Sequence, residues 1–104
     1  MNRVEQLEEF LREDPNDPFN SYALALEYLK TDEKKASGLF EILLSKHPNY
    51  LPTYYPFAQL LSEKQDKRAE DIYKQGIESA RRLGDHKTLK ELSSAYNDWL
   101  FEQS

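Results

Sequence analysis

Large and small side chains recur at helical spacing between Leu51 and Gly84. On the first half of this stretch, a large residue is followed three, four and seven positions later by a large, a small and a large one, namely Tyr54, Phe57, Ala58 and Leu61. On the second half, Ala69 precedes Tyr73 by four positions. Small residues let two helices approach closely, and large residues fill the space beside them. The stretch is therefore predicted to form two antiparallel helices.

The same order of large and small positions returns on both sides of this stretch. The residues that stand 33 positions earlier are Ser21, Leu24, Ala25 and Tyr28 on one predicted helix, and Ala36 and Phe40 on the next. Leu89, Leu92, Ser93 and Tyr96 repeat it 35 positions later. Side chains at one nearly constant interval are buried when helix pairs stack on one another. The pattern predicts an all-α stack of helical hairpins with about six helices.

Capping signals divide the chain into these helices. Short polar side chains that accept hydrogen bonds from first-turn amides are placed as N-caps at Asn2, Asp17, Thr31 or Asp32, Thr53, Asp66 and Asp85. The first helix is expected over about 2–13 and the second from Pro18 to about Lys30. The third is expected to end at His47, the fourth to begin at Thr53 and the fifth to end at Gly84. The sixth is expected over about 86–101. A start at Thr53, or a local bend, accommodates Pro56, because a proline in the first turn removes no intrahelical hydrogen bond.

Apolar stripes give the expected packing faces. On the first helix the stripe is Val4, Leu7, Phe10 and Leu11, and on the third it is Ala36, Phe40, Leu43 and Leu44. On the fifth it is Ala69, Ile72, Tyr73, Gly76, Ile77, Ala80 and Leu83. Gly76 is expected at a close helix contact, and the sixth helix is expected to cover the last hairpin, with Trp99, Leu100 and Phe101 packing back onto it.

Composition narrows the class of protein. The 104 residues suit one domain spanning 1–104, with 38% hydrophobic and 32% charged residues. The net charge of −5 argues against nucleic-acid binding, which needs clustered Lys and Arg. No apolar run is long enough to span a bilayer, and the N-terminus lacks the apolar stretch of a signal peptide, so no membrane association and a cytoplasmic location are expected. With no cysteine, the chain forms no disulfide or thiolate metal site.

The sequence offers no recognisable catalytic or metal-binding motif. The three glycines, Gly38, Gly76 and Gly84, lie within or at the end of predicted helices and make no phosphate-binding loop. His47 and His86 lie in different turns without metal-ligand spacing. No G-x-S-x-G or Ser-x-x-Lys motif with suitable partners is present. We therefore expect no catalytic residues, no metal, no cofactor and no enzymatic activity.

From about Val4 to Tyr96, these spacings resemble those of the tetratricopeptide repeat family, whose repeat is 34 residues long. Two full repeats are predicted, over 18–50 and 51–83, each one residue shorter than the family's repeat. Ser21 replaces the first large aromatic residue, and Arg81 stands in place of the closing proline. The resemblance implies a right-handed solenoid of helical hairpins with a concave groove lined by the first helix of each pair.

The resemblance also implies which side chains line that groove. They are Phe19, Tyr22, Leu26 and Leu29 on the second helix, Tyr55 and Gln59 on the fourth, and Lys87, Lys90 and Ser94 on the sixth. The fourth-helix stripe also includes Pro52 and Ser62, and the sixth-helix stripe ends at Asn97. Of the family positions that bind a C-terminal carboxylate, only Lys87 matches, so that mode of binding is not expected. The aromatic side chains either anchor a peptide or pack internally, and the two lysines either meet an acidic ligand or are simply solvated.

Two functions from different classes follow from these residues. The first is a non-enzymatic protein interaction module that binds a peptide or helix of an unidentified partner in its groove. The second is a structural module that self-associates through its end helices, because the ends of a helical stack expose apolar faces. A monomer or a weak homo-oligomer is expected.

Overall fold

A computed structural model describes all residues 1–104, and it contains six α-helices, one short 3₁₀ turn and no strand. The helices are α1 (Arg3–Glu13), α2 (Pro18–Tyr28), α3 (Glu33–Lys46), α4 (Tyr54–Glu63), α5 (Arg68–Leu83) and α6 (His86–Gln103), and the 3₁₀ turn spans Leu51–Thr53. The all-α prediction is confirmed. The chain forms two compact units, Met1–Thr53 and Tyr54–Ser104, each with three helices, and we call them the N-terminal and C-terminal units.

Four of the predicted N-caps form as expected. Asn2 Oδ1 accepts a hydrogen bond from the Glu5 amide at 2.8 Å, and Asp17 Oδ1 accepts one from the Phe19 amide at 3.0 Å. The other two accept from the third helical residue: Asp32 Oδ1 from the Lys35 amide at 3.1 Å and Asp85 Oδ1 from the Thr88 amide at 3.0 Å. These bonds satisfy amides that have no partner inside the helix, so each helix begins where its acceptor stands.

The remaining two N-caps differ from the prediction. Asp66 stands one residue further from its helix than expected, since α5 begins at Arg68, but its Oδ1 still accepts from the Arg68 amide at 2.9 Å. Thr53 does not cap α4. It ends the 3₁₀ turn fully buried, and its hydroxyl has no hydrogen-bond partner. The start of α4 at Tyr54 nevertheless places Pro56 in the first turn, as predicted.

In the N-terminal unit, α2 packs against α1 on one side and α3 on the other. The small residues Ala25 and Ala36 are fully buried, as their repeat positions predicted, and Phe40 is fully buried beside them. The Tyr28 hydroxyl donates a hydrogen bond to Glu8 Oε2 at 2.9 Å, which joins α2 to α1. Phe10 was expected in the core but is 50% exposed, because α1 has α2 as its one extensively packed neighbour.

In the C-terminal unit, α5 packs against both α4 and α6. Gly76 lies at the tightest point of this packing: a Cβ atom added there would lie 2.8 Å from Leu92 Cδ1 and 2.8 Å from Tyr54 Cβ. Only a residue without a side chain permits this approach, so the predicted role of Gly76 is confirmed. Gly84 ends α5 in the left-handed conformation, with φ of 72°, also as predicted.

The apolar residues at the end of α6 depart from the prediction. Trp99 is half-buried, and its ring stacks on Tyr96 with centroids 6.2 Å apart. Leu100 and Phe101, however, are 40% and 82% exposed. The Tyr96 hydroxyl already reaches Glu70 in the first turn of α5, so the following turn of α6 extends past the start of α5 and has little to cover it. Leu83, at the other end of α5, is likewise 47% exposed.

Candidate functional site

One face of the first half of α6 borders an open depression with a volume of about 680 Å³, which we call the basic hollow. Its wall is formed by Tyr55 of α4 and by Lys87, Lys90, Glu91, Ser94, Ala95 and Asp98 of α6. The α6 residues are spaced by three or four, so they project from one side of the helix. Tyr55 is 44% exposed and gives the hollow its aromatic surface.

A second depression, of about 280 Å³, follows further along α6, and we call it the acidic hollow. It shares Tyr55, Ala95 and Asp98 with the basic hollow and adds Gln59, Ser62, Glu63, Tyr73, Trp99 and Glu102. Three of its side chains are carboxylates, and none is Lys or Arg. Carboxylates thus line both hollows, with Glu91 and Asp98 in the basic hollow, whereas the two lysines lie in the basic hollow alone.

Two of the rings that line the acidic hollow, those of Tyr73 and Trp99, lie on either side of Tyr96 in a row of aromatic contacts. Tyr73 lies 5.9 Å from Tyr96, and Tyr96 lies 6.2 Å from Trp99, measured between ring centroids. The Tyr96 hydroxyl donates to Glu70 Oε2 at 2.7 Å, and this hydrogen bond, with burial, raises the pKa of Tyr96. Tyr96 is thus held in place from both sides, and it holds Trp99 at the edge of the hollow.

Tyr73 is the most buried of the side chains that line the acidic hollow. Its side chain is 5% exposed. Burial raises the pKa of Tyr73, with smaller contributions from Tyr55, Glu102 and Asp98. The hydroxyl is therefore neutral at physiological pH and lies close to the negative charges of Glu102 and Asp98.

Four of the charged side chains that face the two hollows form no ion pair within the chain, namely Lys87, Lys90, Asp98 and Glu102. Lys87 nevertheless helps to lower the pKa of Asp85, and Glu91 faces the same hollow as both lysines. The ion pairs of α5 lie elsewhere, for example Arg81 with Glu78 at 3.4 Å. Charges left unpaired at a depression can be neutralised by a ligand of opposite charge.

The predicted groove residues of the N-terminal unit lie on α2 or at its end. Phe19 is 57% exposed, whereas Tyr22 is half-buried and packs edge-on against Tyr50 with ring centroids 5.7 Å apart. Leu26 and Leu29 are half-buried, and Leu29 is the residue after the last turn of α2. Phe19 is thus available to a ligand, whereas part of the Tyr22 ring is covered by its contact with Tyr50.

In the C-terminal unit, the structure brings most of the predicted residues together. Tyr55, Lys87, Lys90 and Ser94 share the basic hollow, and Gln59 lies in the acidic hollow. The lining residues that the sequence analysis missed are Glu63, Tyr73, Glu91, Ala95, Asp98, Trp99 and Glu102. Continuing the α6 face by steps of three and four would have reached Asp98 and Glu102, but Tyr73 was assigned to packing alone.

No group of three or more His, Cys, Asp or Glu side chains is arranged to bind a metal ion. None of the helices combines the length and the apolar character needed to cross a bilayer. The side chains that line the two hollows offer polar, charged and aromatic contacts.

Comparison with known proteins gives close structural relatives. No family model matches the sequence, and no curated protein matches it. A tetratricopeptide repeat domain protein from Salinibacter ruber, solved by solution NMR, is 44% identical; the match covers 83% of this chain and 89% of that chain, with a TM-score of 0.77. A crystal structure of the Salinibacter ruber tetratricopeptide repeat domain protein is also 44% identical, with coverage of 80% and 94% and a TM-score of 0.73.

A third structure, of a Bordetella parapertussis protein, shares the fold at lower identity. It is 20% identical to this chain, covers 98% of it and 90% of its own length, and has a TM-score of 0.81. The helical hairpins, the small residues at their crossings and the identity to the Salinibacter ruber domain agree with one another. The chain belongs to the tetratricopeptide repeat family.

Proposed function

We propose that this chain is a non-enzymatic, cytoplasmic protein interaction module that binds a peptide of a partner protein along α4 and α6. Tetratricopeptide repeat domains are in general interaction scaffolds. The observation that carries the proposal is the basic hollow, where exposed Tyr55 stands beside the unpaired Lys87 and Lys90. An exposed aromatic side chain supplies a large contact area at small entropic cost.

The dimensions and openness of this surface favour a peptide over a small molecule. The two hollows adjoin through Tyr55, Ala95 and Asp98, so they form a continuous path along α6. A small-molecule site encloses most of its ligand. A chain segment lying along the path instead places successive side chains in successive depressions, with Ser94 and Gln59 as polar contacts. In the N-terminal unit, the side chains of α2 proposed as partner contacts are Phe19, Tyr22, Leu26 and Leu29.

A peptide library tests this proposal. The chain is titrated with immobilised peptides, and the peptides that bind are measured again with Tyr55→Ala and Tyr22→Ala variants whose folding is checked by circular dichroism. Tyr55→Ala is expected to weaken binding by tenfold or more, since truncated aromatic anchors cost about 2 kcal/mol. Phe101→Ala is the matched control, because Phe101 is an exposed aromatic residue of the same unit outside both hollows. Unchanged affinity in both tyrosine variants contradicts the proposal.

Self-association is a second candidate function, favoured by exposed apolar side chains on the first and last helices. Phe10 on α1 is 50% exposed, and Leu100 and Phe101 on α6 are 40% and 82% exposed. A second copy that covered them would bury apolar surface. Sedimentation equilibrium over a wide concentration range measures this directly, with Phe101→Ser as the variant. A monomer at every concentration, unaffected by the substitution, excludes this function.

A further inference from the structure

One side of α1 is exposed to solvent and carries an aromatic ring between two opposite charges. Arg3, Gln6, Phe10 and Glu13 are spaced by three or four residues, so they lie on one face of the helix, and all four are exposed. Phe10 is 50% exposed, and Arg3 and Glu13 form no ion pair. We call these four residues the α1 face. Its charge is positive at the start of the helix and negative at the end.

The basic hollow carries its charges in the same order along α6. Lys87 and Lys90 come first and Asp98 comes last, and none of the three forms an ion pair. Glu91 offsets one lysine, so the lysine end keeps net positive charge. The hollow also contains the exposed ring of Tyr55. A helix with the charge order of the α1 face, bound antiparallel to α6, would therefore meet opposite charge at both ends.

We propose that the α1 face of one copy of this chain binds in the basic hollow of a second copy, with α1 antiparallel to α6. Glu13 then lies at Lys87, Arg3 lies at Asp98, and Phe10 enters the hollow that Tyr55 lines. This inference rests on the proposed function, because it takes the basic hollow as the binding surface. It names a second copy as an occupant that competes with the partner peptide.

The spacing of the charges on the two helices agrees. Arg3 and Glu13 are ten residues apart, which is about 15 Å along a helix at 1.5 Å per residue. Lys87 and Asp98 are eleven residues apart, or about 16.5 Å. The difference is the rise of a single residue, so both opposite-charge pairs form in one antiparallel alignment.

The middle of the contact is matched as well. Gln6 is seven residues before Glu13, and Ser94 is seven residues after Lys87, so the alignment that pairs the charges also brings these two polar side chains together. Phe10, between Gln6 and Glu13, brings exposed apolar surface to a hollow of about 680 Å³. Removing that surface from water favours the contact. Binding a helix in a groove through residues at such spacing is a common mode of protein recognition.

The net charge of the chain is distributed unevenly, which limits the repulsion between copies. The total of −5 opposes self-association on average. Residues 1–17, however, carry six carboxylates and two arginines, a net charge of −4, whereas residues 54–104 carry nine carboxylates and eight Lys or Arg, a net charge of −1. The most acidic segment of one copy therefore approaches the nearly neutral unit of the next. The contact is only one short helix long, so we expect a weak association with a Kd of about 10–100 μM.

Sedimentation equilibrium of the whole chain, from about 1 μM to about 1 mM, measures this association. Glu13→Lys and Lys87→Glu each place like charges against one another, and Phe10→Ala removes the aromatic ring from the centre of the contact. We expect each of the three substitutions to weaken the association by about tenfold or more. Circular dichroism checks that each variant is folded.

A mixture of two variants shows whether different surfaces of the two copies meet. The Glu13→Lys chain keeps an unmodified hollow, and the Lys87→Glu chain keeps an unmodified α1 face. An equimolar mixture should therefore associate to within about threefold of the original chain, although neither variant does so alone. Two identical surfaces in contact would not give this result.

Two control variants should leave the association unchanged. Asp71→Lys changes the net charge by as much as Glu13→Lys, on an exposed position of α5 outside the hollow. Phe101→Ala removes an exposed aromatic ring outside the hollow. A chain that is monomeric up to about 1 mM, an association that survives either charge reversal, or a mixture that does not associate overturns this inference.

Peptide binding separates this inference from the proposed function. A peptide selected from the library should bind less tightly as the concentration of the chain rises, because a second copy competes for the hollow, and Phe10→Ala should remove this effect. If peptides bind and Tyr55→Ala weakens them, but the chain is always monomeric, the inference fails and the proposed function stands. If the chain associates as expected and no peptide binds, the proposed function fails and the inference stands.

Discussion

Replacing Gly76 with alanine tests the packing of the C-terminal unit most directly. The added methyl group would lie 2.8 Å from Leu92 Cδ1 and 2.8 Å from both Cβ and Cγ of Tyr54. The leucine methyl can rotate away, but Tyr54 is 1% exposed and its Cβ is joined to the backbone of α4. The substitution therefore forces α4 and α5 apart rather than moving one flexible side chain.

The magnitude follows from two opposing terms. Alanine is a better helix former than glycine by about 1 kcal/mol, which favours the variant. Inserting a methyl group into a packed interior costs about 1–3 kcal/mol, and the upper end applies here because the Tyr54 atoms cannot yield. We expect Gly76→Ala to lower the free energy of unfolding by about 2 kcal/mol, as the difference of these terms.

Gly38 supplies the matched control for the propensity term. It lies exposed within α3, and an added Cβ would have no atom within 4 Å. Gly38→Ala should gain about 1 kcal/mol from propensity alone, so the two variants should differ by about 3 kcal/mol, which is the steric term.

Thermal and urea unfolding, followed by circular dichroism and Trp99 fluorescence, measure the steric term. The expected difference in Tm between the two variants exceeds about 10 °C for a chain of this size. If Gly76→Ala is as stable as Gly38→Ala, the close approach of α4, α5 and α6 at Gly76 is refuted.

Three further substitutions test single contacts. Thr53→Val should raise the free energy of unfolding by about 1 kcal/mol in urea titration, because it removes a fully buried hydroxyl that has no partner; a loss of stability would show that the hydroxyl is satisfied. Tyr96→Phe should lower it by about 1 kcal/mol, since the 2.7 Å hydrogen bond to Glu70 is lost, and an unchanged urea midpoint would contradict that bond. Asp85→Ala should lower the Tm at pH 7. The Thr88 amide lowers the pKa of Asp85 below its ordinary value of 3.8, so the capping contribution is present above that pH and lost as the pH falls through the lower folded-state pKa. The Tm difference from the unmodified chain should therefore shrink in acid, and a difference that is constant with pH would contradict the assignment.

Most helix boundaries could be predicted from the sequence because they are set locally. Asp17, Asp32 and Asp85 accept hydrogen bonds from amides two or three residues away, so the signal and the structure lie in the same few positions. Thr53 shows the limit of such reasoning. Its hydroxyl matches the capping pattern, but Thr53 ends a 3₁₀ turn in which its side chain is fully buried, and the hydroxyl makes no capping bond.

The ends of the helices were harder to predict than their middles. Periodicity identifies an apolar face but not whether a neighbouring helix extends far enough to cover it. Phe10 and Phe101 both continue apolar patterns, and both are exposed because their helices lack a neighbour at that point. The positions that were predicted well, such as Ala25 and Gly76, lie near the centres of helix crossings, where a neighbour is always present.

The lining of the two hollows could be predicted only in part, for a geometric reason. After Ser94, the next residue on the same face is either Asn97, about 60° to one side, or Asp98, about 40° to the other. The position of α4 decides in favour of Asp98. Because the predicted stripe continued from Ser94 to Asn97 instead of Asp98, it did not reach the acidic hollow. Neither Glu102 nor the buried Tyr73 was therefore included in the predicted groove.

The tyrosines that join the helices set an alkaline limit on both units. Burial raises the pKa of Tyr28 and Tyr50 in the N-terminal unit and of Tyr73 in the C-terminal unit, and the hydrogen bond to Glu70 raises that of Tyr96. Since each folded-state pKa lies above the ordinary value of 10.0, stability is complete below that pH and is lost as the pH rises through the raised values. In strong base the Tyr28 and Tyr96 hydroxyls would become phenolates beside the carboxylates of Glu8 and Glu70, and the bonds that join these helices in neutral solution would become repulsions.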